Sequence, residues 1–67
     1  MKFVQTIVNM DNGRKARIYY EKEWNQYVVR FYQDGKHLAD ADYYCEEKED
    51  AQGTAMDYCF PVNPEHD

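Results

Sequence analysis

A chain of 67 residues has room for one domain with a small interior, because a short chain leaves much of its surface in water. Its formal net charge of −5 sets it apart from proteins that bind nucleic acid by overall charge, and no apolar run approaches the roughly 18 residues of a membrane span. It contains no serine, which excludes a serine nucleophile.

Large apolar side chains are few. Leu38, Ile7, Ile18, five valines and three phenylalanines make 11 of 67 residues, below the roughly 20% at which chains verge on disorder. Seven tyrosines and Trp24 offset this, since each can bury a ring while its polar atom reaches water. The expected core is aromatic-rich and lean, completed by self-association or a partner. Charge is unevenly spread. Residues 1–37 carry seven basic groups against four acidic ones, a net +3; residues 38–67 carry one against nine, a net −8. Such a split suits ordinary solubility with helix-end electrostatics. It also suits a two-sided molecule whose acidic flank meets a basic partner or mimics phosphates.

Residues 3–10 (Phe-Val-Gln-Thr-Ile-Val-Asn-Met) are rich in β-formers and close on Asp11-Asn12-Gly13, a hairpin signal in which Asn or Gly takes φ > 0. Residues 14–22 alternate: Ala16, Ile18 and Tyr20 share one face, and Lys15, Arg17, Tyr19 and Glu21 share the other. A polar turn at residues 23–26 leads into Tyr27-Val28-Val29-Arg30-Phe31-Tyr32, whose β-branched and aromatic residues fit a half-buried pleated surface. Tyr27, Val29 and Phe31 face the core there, and Val28, Arg30 and Tyr32 face away. Asp34-Gly35 predicts a type I′ turn into a fourth strand over residues 36–45. Strict register would set Val29 against Asp40 and Tyr27 against Asp42, burying two carboxylates at high cost. A one-residue β-bulge near Ala39 and Asp40 avoids this, bringing Leu38, Ala41 and Tyr43 to the core face.

A helix follows over residues 46–60, stopped by Pro61. Its packing stripe is Ala51, Thr54, Ala55, Tyr58 and Cys59, with Gly53 expected where the helix touches backbone. The pattern is thus an α+β domain over residues 1–61: a four-stranded antiparallel β-meander with one C-terminal helix packed on one face. Residues 62–67 read as a flexible C-terminal tail. The N-terminus lacks a signal-peptide apolar block.

Candidates for chemistry are sparse. Cys45 and Cys59 stand at opposite ends of the helix, about 20 Å apart at about 1.5 Å per residue. A disulfide needs Cα atoms within about 7 Å, so two free thiols in a reducing cytoplasm are expected. A Cys–His pair with His37 or His66 is formally available, but Cys59 lies on the packing stripe, where cysteine behaves as a small hydrophobe. Zinc needs close ligand pairs such as Cys-x-x-Cys, which are absent. Asp40-Ala-Asp42 offers only a solvated edge, and Gly13, Gly35 and Gly53 are isolated rather than grouped into a phosphate loop. No catalytic residue, metal or cofactor is expected.

The surface that stands out is the outer sheet face: Arg17, Tyr19, Val28, Arg30 and Tyr32. Tyrosine and arginine are enriched at protein interfaces, and a face of this composition can also stack bases and contact phosphates. Glu46, Glu47, Glu49 and Asp50, at the helix start, form a secondary acidic surface. The expected function is that of a non-enzymatic protein-interaction module, with nucleic-acid binding as the alternative.

Residues 24–56, with their Asp-Gly-Lys turn, Ala-Asp-Tyr arm and Lys-Glu-Asp-Ala…Thr-Ala helix start, resemble small uncharacterised proteins of tailed phages, especially those of marine cyanobacteria. In such sequences a Thr-Asp-Asp opening leads into the helix; here Cys45-Glu46-Glu47 stands in its place, so the capping hydroxyl is missing. The resemblance implies a phage origin and a host-cytoplasm setting and supplies no site residues; the lean core and split charge lead us to expect a host or phage protein, or a second copy, as partner. The order Tyr-x-Val-Arg-Phe-Tyr…Asp-Gly-Lys…helix is also similar to the three-strand-plus-helix arm-binding domain of tyrosine integrases, which lays a basic sheet on DNA; the acidic second half here departs from it.

Overall fold

The computed structural model describes residues 1–61. The elements run β1 (Lys2–Asn9), β2 (Arg14–Glu21), β3 (Gln26–Gln33), β4 (Lys36–His37), a single 3-10 turn (Ala39–Ala41), β5 (Tyr43–Cys45) and α1 (Lys48–Cys59). The strands form one antiparallel sheet in which β1 pairs β2, β2 pairs β3, and β3 pairs both β4 and β5. One helix covers one face. This is the expected α+β meander, with its fourth strand broken in two. The expected tail at residues 62–67 lies outside the described residues.

The turns follow from residues that tolerate positive φ. Asp34 and Gly35 have φ of 52° and 87°, both positive as a type I′ hairpin requires. In the first hairpin Gly13, at φ 71°, takes the left-handed position rather than Asn12. The second turn spans residues 22–25, one position earlier than the sequence suggested, with Asn25 at φ 52° and Trp24 72% exposed at its tip.

Five expectations need correction. The insertion in the fourth strand is three residues rather than one. Gln33 opposes Lys36, yet Val29 opposes Tyr43, so the chain inserts the 3-10 turn to change register. Tyr43 reaches the core face as expected, but Leu38 and Ala41 are exposed. The inserted turn lifts both off the sheet. The helix starts at Lys48, two residues later than expected, because Glu47 is its N-cap and supplies no side-chain hydrogen bond. Gly53 is exposed, with open space where a Cβ would stand, so no backbone contact explains it. The core, finally, is not aromatic-rich.

Its buried members are small or aliphatic, with Phe31 the one ring among them. Ile7, Ala16, Ile18, Val29 and Phe31 come from the sheet, and Ala51, Ala55 and Cys59 from α1. Tyr27, Tyr43 and Tyr58 pack around the rim, half-buried. The reason is geometric: alanine and cysteine on the helix stripe let α1 lie close to the sheet, leaving room for the Phe31 ring, which meets Tyr58 at 4.9 Å, while the tyrosines stay at the rim. Burying Ile18 or Val29 contributes roughly 1.5–3 kcal/mol each, which is the scale of the whole interior's margin in so small a domain.

The helix is fastened at its C-terminal end. Asn9 Nδ2 and Asn12 Nδ2 donate to the Cys59 carbonyl at 2.7 and 3.0 Å, and an Arg14 guanidinium nitrogen donates to the Tyr58 carbonyl at 3.0 Å. These carbonyls lack intrahelical partners, and a cation beside them suits the negative end of the helix dipole. Arg14 also lies 5.0 Å above the Tyr58 ring, whose hydroxyl donates to the Tyr32 carbonyl at 2.9 Å.

Candidate interaction surface

The face of the sheet away from α1 is laid out in rows by strand register. One row is Phe3, Tyr19, Val28 and Tyr44, each directly opposite the next. The next is Thr6, Arg17 and Arg30, extended by Asp42 from the segment just before β5. The third is Val8, Lys15, Tyr32 and His37. The five residues singled out from alternation thus share one continuous patch. Val28 is only 2% exposed and forms its floor rather than a contact, covered from both sides by the side chains of its row.

Two residues of this patch escaped the sequence reading. Phe3 stands opposite Tyr19 because β1 slips register between Phe3 and Gln5, leaving Val4 unpaired as a bulge. Tyr44 arrives opposite Val28 only through the three-residue insertion after β4. Neither irregularity has a glycine or proline to announce it. Both side chains are about half exposed.

Cations here lie on rings. The Arg17 guanidinium carbon is 5.1 Å from the Phe3 ring centre and 5.7 Å from that of Tyr19; Arg30 is 5.3 Å from Tyr19. Lys15 Nζ sits 4.7 Å over Tyr32, and the His37 ring lies tilted by 34° against Tyr32 with the ring centres 5.2 Å apart. Phe3 meets Tyr19 edge-on at 6.0 Å. Such stacking fixes flat guanidinium groups in place and contributes about 0.5–2 kcal/mol per pair, more where water is excluded.

The electrostatics are unbalanced. Arg17 and Arg30 are cross-strand partners, a like-charge pairing that destabilises a sheet. Asp42 offsets one of them: its Oδ2 is 3.8 Å from Arg30 Nε, and its Oδ1 is 3.0 Å from His37 Nε2. Among the described residues no carboxylate lies within 4.0 Å of Arg17. The Nε atoms of both arginines are buried without a hydrogen-bond partner. Asp42 is thereby engaged, and Asp40 stands exposed on the 3-10 turn.

The acidic surface lies on the opposite layer. Glu46, Glu47, Glu49 and Asp50 are all exposed at the start of α1, with Asp57 further along. Asp50 accepts a hydrogen bond from the Tyr43 hydroxyl at 3.2 Å, which raises the Tyr43 pKa above its ordinary value. The acidic group at the helix start thus lies on the layer opposite Arg17 and Arg30, although Asp42 sits on the open face and Arg14 at the helix end.

Both cysteines are free thiols. Burial pushes each above the ordinary thiol pKa, Cys59 against the sheet and Cys45 beside Glu47. Their thiolate fractions at neutral pH are accordingly lower than that of a free cysteine. Among the described residues no three His, Cys, Asp or Glu side chains group to hold a metal ion, and no helix is long and apolar enough to cross a membrane. Comparison with family models, with curated proteins and with solved structures finds no match to this chain.

Proposed function

We propose that this protein is a non-enzymatic binding module, phage-encoded and acting in the cytoplasm of a host cell, whose working surface is the open face of the sheet. The observation that carries this reading is the pair Arg17 and Arg30. They face each other across two strands, lie on the Phe3 and Tyr19 rings, and have one carboxylate between them. The like-charge pairing is a cost to the sheet, which the ring stacking and Asp42 offset only in part. An anionic group from a partner would relieve it, meeting guanidinium groups already held flat for bidentate contact. Aromatic rings around arginine are the make-up of protein hot spots, so an acidic protein surface is the preferred partner.

The test is association measured with Tyr19→Ala, Arg30→Ala and Tyr32→Ala, each checked for an intact fold by circular dichroism. Each should weaken capture of the partner from host-cell lysate by about 5- to 150-fold, or roughly 1–3 kcal/mol. If all three leave capture unchanged, the face is ordinary wetted sheet.

One observation favours nucleic acid as a second reading. Glu46, Glu47, Glu49, Asp50 and Asp57 stand on the far layer, so a strand laid across Lys15, Arg17 and Arg30 meets Asp42 but not that acidic group. That reading requires retention of labelled DNA or RNA at low salt, with each arginine removed lowering the salt slope by about one. Absence of retention at low salt disposes of it.

A further inference from the structure

Resting on the open sheet face as a binding surface, we propose that its occupant is the exposed side of α1 in a second copy of this chain, so that copies join head to tail. The charges match. The sheet face offers Lys15, Arg17 and Arg30, while the helix side offers Glu49, Asp50 and Asp57 against Lys48 alone. Apolar groups match as well. Met56 on the helix and Phe60 at its C-cap, four residues on, are 47% and 46% exposed, and Phe3 and Tyr44 on the sheet are exposed to a like degree.

Gly53 supplies the third observation. It lies in the middle of α1, exposed, at an ordinary helical φ and, among the described residues, with nothing within 4 Å of its missing Cβ. A glycine there costs helix stability that alanine would not, and nothing inside the fold uses the gap. It opens a notch between Glu49 and Met56, where a tyrosine ring from another molecule can lie against the helix backbone.

Sheet face and helix side occupy opposite layers, so one pair of copies cannot satisfy both contacts through a two-fold axis. The contact is heterologous, and assembly grows with concentration unless a ring closes it. Because each copy carries one surface of each kind, two differently disabled variants should rescue one another only as far as a pair.

The experiment is sedimentation of the full chain over a range of concentration and salt. Wild type should gain mass with concentration and lose it as salt screens the charges. Arg17→Glu, which gives Arg30 an acidic neighbour and so keeps the sheet folded, should be monomeric. The helix variant carrying Glu49→Gln and Met56→Gln, which removes the acidic and apolar contacts without adding a cation to meet the glutamate that Arg17→Glu introduces, should be monomeric too. Mixed, they should form a one-to-one pair that grows no further. Gly53→Gln, a helix-compatible residue that fills the notch, should weaken wild-type assembly about tenfold. The proposal is overturned by a wild type that stays monomeric to about 1 mM, by a mixture that remains monomeric, by a helix variant that still self-associates, or by assembly indifferent to Gly53→Gln. If wild type is monomeric but Arg17→Glu abolishes capture of a foreign protein, the occupant is wrong and the binding face stands.

Discussion

The two faces of one sheet are built from the same strands and obey different rules. On the covered face Ala16, Ile18, Val29 and Phe31 meet Ala51, Ala55 and Cys59, all apolar and all closely packed. On the open face the alternate residues of the same strands are Lys15, Arg17, Tyr19, Arg30 and Tyr32, wet and stacked ring on cation. One side contributes stability through lost water contact. The other concentrates charge that the fold does not need, which is why its role is sought outside the chain. Val28 is the exception that joins them, an open-face residue buried as deeply as the core.

Neighbours on β3 give the largest contrast. Phe31→Ala removes a buried ring and should cost about 3–5 kcal/mol, enough to unfold much of a domain this small. Tyr32→Ala should cost under about 1 kcal/mol, since it loses stacking with Lys15 and His37 at the surface. Thermal melts of the two, at about 4–8 °C per kcal/mol, decide the matter. Equal shifts would dissolve the distinction between the faces.

The clamp that holds α1 over the covered face comes next. Asn12→Ala forfeits a bond to the Cys59 carbonyl and another that its Oδ1 accepts from the Arg14 amide at 3.0 Å. A loss of about 1–2 kcal/mol in urea unfolding is expected. Alkaline pH probes the same face chemically. Burial raises Cys59 and Cys45, so the folded chain holds those protons more firmly than the unfolded one. Their contribution is therefore complete below the ordinary thiol pKa of about 8.5 and falls as pH rises through and beyond it. Cys59→Ala should show a shallower decline from about pH 8 to about pH 10 than wild type; parallel curves would contradict the cause. The smallest effect has the opposite sign. Gly53→Ala, on the helix side remote from the sheet, should stabilise by about 0.5–1 kcal/mol. A destabilised variant would mean that Gly53 is confined after all.

What the sequence disclosed was the local part. The alternation of Ala16, Ile18 and Tyr20, the turn at Asp34-Gly35 and the stripe Ala51, Ala55, Cys59 are short-range patterns, and the structure keeps them. The open-face residues came from the same alternation and fall together. Phe3 and Tyr44 stayed hidden because a bulge and a 3-10 turn shift register by amounts that only pairing partners decide. Asn9, Asn12 and Arg14 read as turn and strand residues. Their work on the helix end depends on groups more than 40 positions away, beyond any local pattern.

That last fastening governs when the chain can become a protein. The first hairpin leaves the ribosome early, yet the carbonyls that Asn9 and Asn12 are made to hold belong to Cys59, 50 and 47 residues later. At about 5–20 residues per second of synthesis, several seconds pass with Ile7, Ala16 and Ile18 uncovered. A chain whose lid is made after its sheet cannot close its interior as the strands emerge; α1 must be synthesised and clear of the ribosome first. Contacts of such long sequence separation also slow refolding. A ribosome stalled within α1 would therefore display a sticky half-sheet rather than a smaller version of the domain, and chaperone capture of that intermediate would mark the delay.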